Sequence, residues 1–542
     1  MKKSILILLG ICQCILFACN DEYLELYPPD KINDANFWKN TVDLETYCNQ
    51  FYPYLIDASQ QWRDDNSSDN MAPSSLSSFI WDLYVVPSTG GGWAKSDWAN
   101  IRSCNYFLEK YSTVTGNADD IRKYVAEIRF FKALFYYQKV KLFGNVPWLS
   151  SVLQVNSEQL NAPRDSRIVV IDSVIKDLDF AVQYLPEVSS TDRLNKYAAL
   201  TLKSKVCLFE GTFRKYHNLG DYERILRESA NASELIMNSE LFSVYSTGDV
   251  ESDYYDLFYK RDLRGNPENI MTKYFLENVY MHNRTRSINE QGTGFTKDYA
   301  ESYLCTDGQP IAISPLYQGD ANFEDEFVNR DPRMKQTIYT PDQPFIINNQ
   351  GGITYMPVPE FNNARCNTGY RIIKCWSPYE NDIEQDRNFV PVLIFRYSEV
   401  LLNYVEAKAE LDECTQQVLD ETINPIRDRA GMPHMTTTIA FVDPNWPNWE
   451  VPVTPLINEI RRERRIELAI ESVRFDDLRR WKAGKLLDNP KTYQGALDPE
   501  TGNYRIIYPG FTRTWKDKLY LYPLPSEELV LNPNLAPQNP GW

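Results

Sequence analysis

Apolar residues return at threes and fours along two long stretches of the chain, the spacing that lines them up on one face of an α-helix. Trp98, Ile101, Asn105 and Leu108 trace one such face. Ile121, Val125, Ile128, Phe131 and Phe135 trace the next, which runs through Val140 to a stop at Gly144 and Pro147. A second pair of helices is predicted over 169–185, ended by Pro186, and over 197–213. Asp221 stands where a cap would start a further helix reaching about Met237. After a long interruption the pattern resumes over 397–411, 417–430, 455–471 and 473–483.

Helix pairs recurring at roughly 35 to 45 residues predict a mainly α chain built as a tetratricopeptide-like scaffold, in which each pair needs its neighbours to bury an apolar face. Between 243 and 395 the helical period fades into short segments broken by Tyr, Asn, Gly and Pro, which reads as an inserted region of loops and small strands. The expected organisation is a signal segment over 1–18, a tether over 19–40, helices over 41–242, the insertion, and a helical C-terminal part over 396–542 with an extended, proline-punctuated tail. One loop, 60–97, is rich in Ser, Asn, Asp and Gly yet keeps Trp62, Trp81, Tyr84 and Trp93. Long loops that retain large aromatics usually use them for contact.

Composition narrows the function. The 542 residues carry a formal net charge of −17, which repels nucleic-acid phosphates and anionic lipid headgroups alike. Aromatic residues make up 13% of the chain and histidine only three positions, His217, His282 and His434, a balance poor for metals and rich for stacking. Lys2 and Lys3 precede an apolar run that ends Leu16-Phe17-Ala18-Cys19, too short to remain as a membrane span. That ending resembles the lipobox of bacterial lipoproteins, in which the cysteine thiol, here Cys19, is lipidated and becomes the first residue. Beyond it seven cysteines remain, an odd number and no disulfide framework; Cys366 and Cys375 are close enough in sequence to bridge a hairpin or to stay buried and free.

Several phrases then occur in order. Arg129-Phe130-Phe131-Lys132-Ala133-Leu134-Phe135-Tyr136-Tyr137 leads to Phe143-Gly144-Asn145-Val146-Pro147, and Arg396-Tyr397-Ser398-Glu399-Val400-Leu401 follows much later. Asn424-Pro425-Ile426-Arg427-Asp428-Arg429-Ala430-Gly431, Glu463-Arg464-Arg465-Ile466-Glu467-Leu468, Arg474-Phe475-Asp476-Asp477-Leu478 and the closing Gln538-Asn539-Pro540-Gly541 complete the set. Together with the lipobox they resemble the SusD/RagB family of outer-membrane lipoproteins across essentially the whole chain. The resemblance implies an outer-membrane, cell-surface protein that captures glycans, hands them to a TonB-dependent, SusC-like transporter and does not hydrolyse them. The interleaved Glu and Arg residues of 459–467 read as fold-holding ion pairs, each worth about 0.2–0.5 kcal/mol if solvated, the alternative being guanidinium groups paired with helix carboxylates and chain ends at a buried repeat junction.

A sugar offers C–H faces and hydroxyl edges, so its site needs flat rings with amide, carboxylate or guanidinium groups around them. The candidates are Trp62, Trp81, Tyr84, Trp93, Asp69 and Asn70 in the aromatic loop, and Tyr280, His282, Trp376 and Tyr379 in the insertion. Trp93, behind Gly90-Gly91-Gly92, is the expected mobile platform, whereas Trp81 sits in an apolar run that also suits a core. No cofactor is expected, although the Asp/Asn loop 64–70 is compatible with a structural calcium. No His-Glu-x-x-His, Cys-x-x-Cys, Gly-x-Ser-x-Gly or P-loop is present. The rivals are a binder of peptide or glycopeptide, a lipid-anchored glycosidase working with two carboxylates, and a scaffold whose aromatics merely pack.

Overall fold

The computed structural model describes residues 37–187 and 192–542. The signal segment, Cys19 and most of the tether lie outside the described residues.

Helices of nine residues or more are α1 (Thr41–Asn49), α2 (Lys95–Lys110), α3 (Ala118–Phe143), α4 (Arg167–Tyr184), α5 (Lys196–Tyr216), α6 (Tyr222–Met237), α7 (Tyr397–Glu410) and α8 (Pro455–Glu467). Successive helices pack side by side from α2 to α6, and α7 returns from beyond the insertion to lie against α5, α6 and α8. The periodic apolar residues form the shared core: Ile101, Val125, Ile128, Phe131, Val174, Leu178, Leu202, Val400 and Leu401 are all buried in one cluster. This is a mainly helical, tetratricopeptide-like scaffold.

Polar side chains set the helix ends. Asn117, Ser166, Asn195 and Thr454 each accept a backbone N–H from the first turn that follows. Asp221 is different: its backbone is left-handed (φ 52°) and its carboxylate makes no cap, pairing instead with Arg224 at 2.7 Å and Arg214 at 3.0 Å. The helix expected over 417–430 is two, Gln416–Glu421 and Ile423–Arg429. Pro425 lacks an N–H and its ring would meet the carbonyl four residues earlier, so the chain breaks at Thr422. The C-terminal tail is also less extended than its prolines suggest, since Ser526–Leu531 coils into a short helix between them.

The insertion is built from two-stranded antiparallel pieces. β1 (Met71–Pro73), from the aromatic loop, pairs with β3 (Thr293–Phe295) in register Met71 opposite Phe295. β2 (Asn269–Lys273) pairs with β4 (Val392–Arg396), the strand that leads directly into α7. The loop 60–97 is therefore woven into the insertion. Trp62 and Met71 belong to the insertion's own core with Tyr254, Phe295, Tyr299 and Trp376.

The acid–base residues of α8 do not sit in solvent. Glu467 is fully buried and accepts from Arg396 at 2.7 Å, Arg429 at 2.6 Å and Arg333 at 3.0 Å. Glu463 meets Arg333 at 2.7 Å and Arg427 at 2.8 Å, and Glu268 meets Arg396 at 2.8 Å. Burial alone would raise the Glu467 pKa; Arg429, Arg396 and Arg333 overcome it and hold the carboxyl well below its usual range. The solvated-pair estimate is thus replaced by a buried network that ties insertion, α7 and α8 together, where losing one partner costs about 3–5 kcal/mol.

Candidate functional site

Most of the aromatic candidates turn inward. Trp62 is fully buried and its indole N–H donates to Ser287 Oγ at 3.1 Å. Trp81 packs edge-on against Tyr493 and Tyr508, with the Arg513 guanidinium 5.1 Å from its ring centre. Tyr84 is half-buried, edge-on to Phe79 and Tyr522. The mobile platform expected at Trp93 is absent: Gly90, Gly91 and Gly92 all take positive φ and fold the chain back, so that Trp93 packs against Trp98 and Phe143 at 5.1 and 4.9 Å. Trp376 is sealed against Phe345, ring centres 4.4 Å apart, and donates to the Phe345 carbonyl.

His282 is likewise interior. Its Nε2 donates to the Val390 carbonyl at 2.8 Å and its Nδ1 accepts the Arg284 N–H at 3.1 Å, so both nitrogens of the neutral ring are satisfied. Asn70 accepts from Arg465 Nε at 2.8 Å and donates to Asp65 at 2.9 Å. Asp69 is held by both nitrogens of an Arg474 fork. These bonds consume the polar side chains at the end of the 64–70 loop. Among the described residues no group of three or more His, Cys, Asp or Glu side chains is placed to hold a metal ion. Cys366 and Cys375 are buried and free.

Two insertion tyrosines do face solvent. Tyr280 is 47% exposed, stacked on Phe275 at 5.0 Å, with the Lys273 ammonium 5.9 Å from its ring centre. Tyr379 is 40% exposed, with the Arg261 guanidinium 4.9 Å from its ring centre. Neither lines the cleft that holds Trp446 and Trp449.

That cleft, of about 730 Å³, opens where the loop before α8 faces the insertion. Its platform is Trp446 and Trp449, on the segment Asp443-Pro444-Asn445-Trp446-Pro447-Asn448-Trp449-Glu450. Asp443 opens a turn by accepting the Asn445 N–H at 2.8 Å, and its other oxygen takes Arg462 Nη2 at 2.5 Å. Thr454 and Pro455 then start α8, whose first residues fasten the rings. The Trp446 N–H donates to Glu459 at 2.8 Å, and the Trp449 N–H donates to Asn458. Each indole is pinned by its nitrogen edge and left half-exposed. Trp449 is backed by the Arg461 guanidinium, 4.6 Å from its ring centre, and meets Trp481 edge-on.

The facing wall is Asp298, Glu301 and Ser302, on the short helix Lys297–Ser302, with Lys485, Asn489 and Lys491 beside it. Asp69, Arg465 and Arg474 form the floor, so one predicted residue does contribute. Arg465 reaches Asp298 at 2.8 Å, Lys491 reaches Glu301 at 2.5 Å and Asn489 reaches Asp298 at 3.1 Å. Flat apolar rings, amides and fixed carboxylates within one concavity match what a polyhydroxylated ring needs, and the volume falls in the range of about 300–1,000 Å³ common for ligand sites.

A family model described as "SusD family" matches residues 236–542, more than half of the chain. The chain belongs to the SusD family. A second model, "Starch-binding associating with outer membrane", matches residues 22–208. Among curated relatives, SusD-like protein P2 of Formosa agariphila is 25% identical over 550 residues, covering 97% of each chain. SusD-like protein P38 of the same organism is 23% identical and covers 88% of this chain and 92% of its own. Two solved Bacteroides fragilis proteins share the fold. A SusD-like protein superposes with TM-score 0.74 at 24% identity over 95% of this chain and all of its own. A SusD-like carbohydrate-binding protein superposes with TM-score 0.71 at 23% identity over 92% of this chain and all of its own. A further SusD-fold structure, solved with a xylogluco-oligosaccharide, superposes with TM-score 0.63 at 18% identity, over 91% of this chain and 97% of its own. No described helix is long and apolar enough to cross a membrane.

Trp446 and Trp449 carry the same sequence signal as 60–97, large aromatics kept in a polar loop. A Pro/Asn-rich loop that keeps two indoles three residues apart is rare in this chain.

Proposed function

We propose that this SusD-family chain is a cell-surface lipoprotein, anchored through Cys19, that captures oligosaccharide in the Trp446–Trp449 cleft and passes it intact to a SusC-like, TonB-dependent transporter. The observation that carries the reading is the pair of half-exposed indoles, pinned by Glu459 and Asn458, over a cleft of about 730 Å³. Sugar C–H faces stack on the rings, while Asn445, Asn448, Asn489 and the paired carboxylates meet the hydroxyls. Carboxylates held by ammonium or guanidinium groups, as Glu301 is by Lys491, serve as hydrogen-bond acceptors for a bound sugar and leave its glycosidic bonds whole. The lipobox phrase ending at Cys19 and the outer-membrane association of the family support the location.

The test is a glycan-array screen of the full chain in detergent, followed by calorimetry with the best ligand. Trp446→Ala is expected to weaken binding about tenfold, the upper end of the roughly 0.5–1.5 kcal/mol that one aromatic contact supplies, in a variant that still folds. Unaltered affinity would remove the cleft from consideration. Release of new reducing ends from the ligand would instead reveal a glycosidase.

A further inference from the structure

The charges around the cleft do not cancel evenly, and on the reading of the cleft as a glycan site we propose that its ligand carries an anionic substituent, a uronate carboxylate or a sulfate ester. Each carboxylate that lines the cleft already has a cation. Asp69 is taken by Arg474, Asp298 by Arg465, Asp443 by Arg462 and Glu301 by Lys491. Glu450 faces two lysines, Lys482 at 3.4 Å and Lys485 at 3.5 Å.

Arg461 is the surplus. It is almost fully buried in the cleft wall, enclosed by Tyr216, Trp449 and Trp481 at 4.9, 4.6 and 4.4 Å. Of its five N–H donors one is used, from Nη2 to Glu410 at 3.1 Å, and Nε and Nη1 have no hydrogen-bond partner. Glu410 does not line the cleft and is shared with Lys215 at 2.8 Å and with the Tyr216 hydroxyl. The guanidinium charge behind Trp449 is therefore only partly compensated, and in a buried setting it is weakly screened. Lys485, with its side chain 55% exposed, stands at the mouth and can meet an anion directly. A locally positive cleft in a chain of net charge −17 draws anions to that one place and repels them elsewhere.

The experiment compares oligogalacturonate, oligoglucuronan and sulfated galactan oligomers, each beside its carboxyl-reduced or desulfated counterpart, by calorimetry on the full chain. At least one acidic member is expected to bind about tenfold or more tightly than its neutralised counterpart, about 1.4 kcal/mol. The uronate and sulfate arms separate the two sources of charge. Arg461→Gln should shrink that ratio, and Lys485→Ala, at an exposed position, should shrink it with no change in folding. Equal affinity for acidic and neutralised members, no binding of any acidic member, or a ratio unmoved in Lys485→Ala and in folded Arg461→Gln overturns the inference. The glycan reading fails separately, through Trp446→Ala: if that variant binds every glycan as the parent does, the cleft is not the site.

Discussion

The Arg474 guanidinium grips Asp69 as a fork, Nε to one carboxylate oxygen at 2.8 Å and Nη2 to the other at 2.7 Å, across 405 residues of sequence. Both side chains are buried, and Arg465 adds a third contact at 3.3 Å. Burial would raise the Asp69 pKa, but Arg465 and Arg474 override it and hold the carboxyl far below its usual range. The fork fixes the 64–70 segment of the aromatic loop to the C-terminal helices under the cleft. Asp69→Ala strands Arg474 without an opposite charge and should cost about 3–5 kcal/mol in urea unfolding. Adding Arg474→Leu should recover part of that loss, because the uncompensated charge is then removed. A single-variant loss under about 1 kcal/mol, the scale of a surface pair, would mean that the fork does not hold the junction.

Trp93 and Trp376 should behave as core residues and not as ligand platforms. Trp93 is 5% exposed against Trp98 and Phe143, and Trp376 is fully covered by Phe345 and its neighbours. Replacing either by Ala opens a cavity and should lower stability by about 3–5 kcal/mol. Affinity per folded molecule should stay at the parent value, since neither ring lines the cleft. Loss of affinity at unchanged melting temperature in either variant would return the site to these residues.

The contrast between Trp93 and Trp449 shows what could be read from sequence and what could not. The helices of the body were legible because residues such as Ile128, Phe131 and Val174 repeat with the helical period, and burial follows directly from that period. No such rule separates the two indoles, since both stand in Gly-, Pro- or Asn-rich loops. Three positive-φ glycines turn Trp93 back onto α3, whereas Asn458 and Glu459, at the start of α8, hold Trp449 and Trp446 by their N–H groups at the cleft. Those are contacts between distant or newly turned backbone, which the local pattern does not encode. A buried junction of guanidinium groups and carboxylates was one reading of this segment, but the partners of Glu467 were hidden for the same reason. Its partners Arg333, Arg396 and Arg429 come from three separate segments, while the helical spacing of α8 alone suggests solvated pairs.

Two histidines, His282 buried and His217 half-buried, predict an acid limb in stability. His282 is pushed down to about 3 by burial, with Arg284 adding to the effect, and His217 is pushed down to about 4, again chiefly by burial. His217 stacks on Phe213 with ring centres 3.9 Å apart, and its Nε2 donates to the Arg479 carbonyl. An unfolded histidine titrates near about 6.5. Between that value and the folded ones the unfolded chain binds more protons, so the histidines' contribution to stability is full above pH ~6.5 and falls as the pH drops. Paired carboxylates such as Glu467 act lower, below the unfolded glutamate value of about 4.3. Urea midpoints at a series of pH values should therefore show a loss beginning near pH 6.5, and His217→Gln should make it shallower. An identical slope in the variant would mean that His217 takes up protons equally in both states.

Asp65 should contribute with the opposite sign. It is fully buried beside Asp64, and burial pushes its carboxyl up to about 6, even though Asn70 Nδ2 and the Ile470 N–H both donate to Oδ2. The second oxygen has no hydrogen bond, so ionisation places charge on an atom with nothing to stabilise it. Unfolded aspartate titrates near about 3.9, so between pH ~4 and ~6 the native state holds more protons than the unfolded one. The resulting stability is complete below the unfolded value and is lost as the pH rises through the folded value, by up to about 3 kcal/mol. Asp65→Asn keeps one carbonyl oxygen for Asn70 and Ile470 and cannot ionise. Relative to the parent, the variant should gain stability steadily from pH 4 to pH 7 and level off above that. A difference between the two proteins that stays constant with pH would place the Asp65 carboxyl at its ordinary value and show that solvent or a cation reaches its second oxygen.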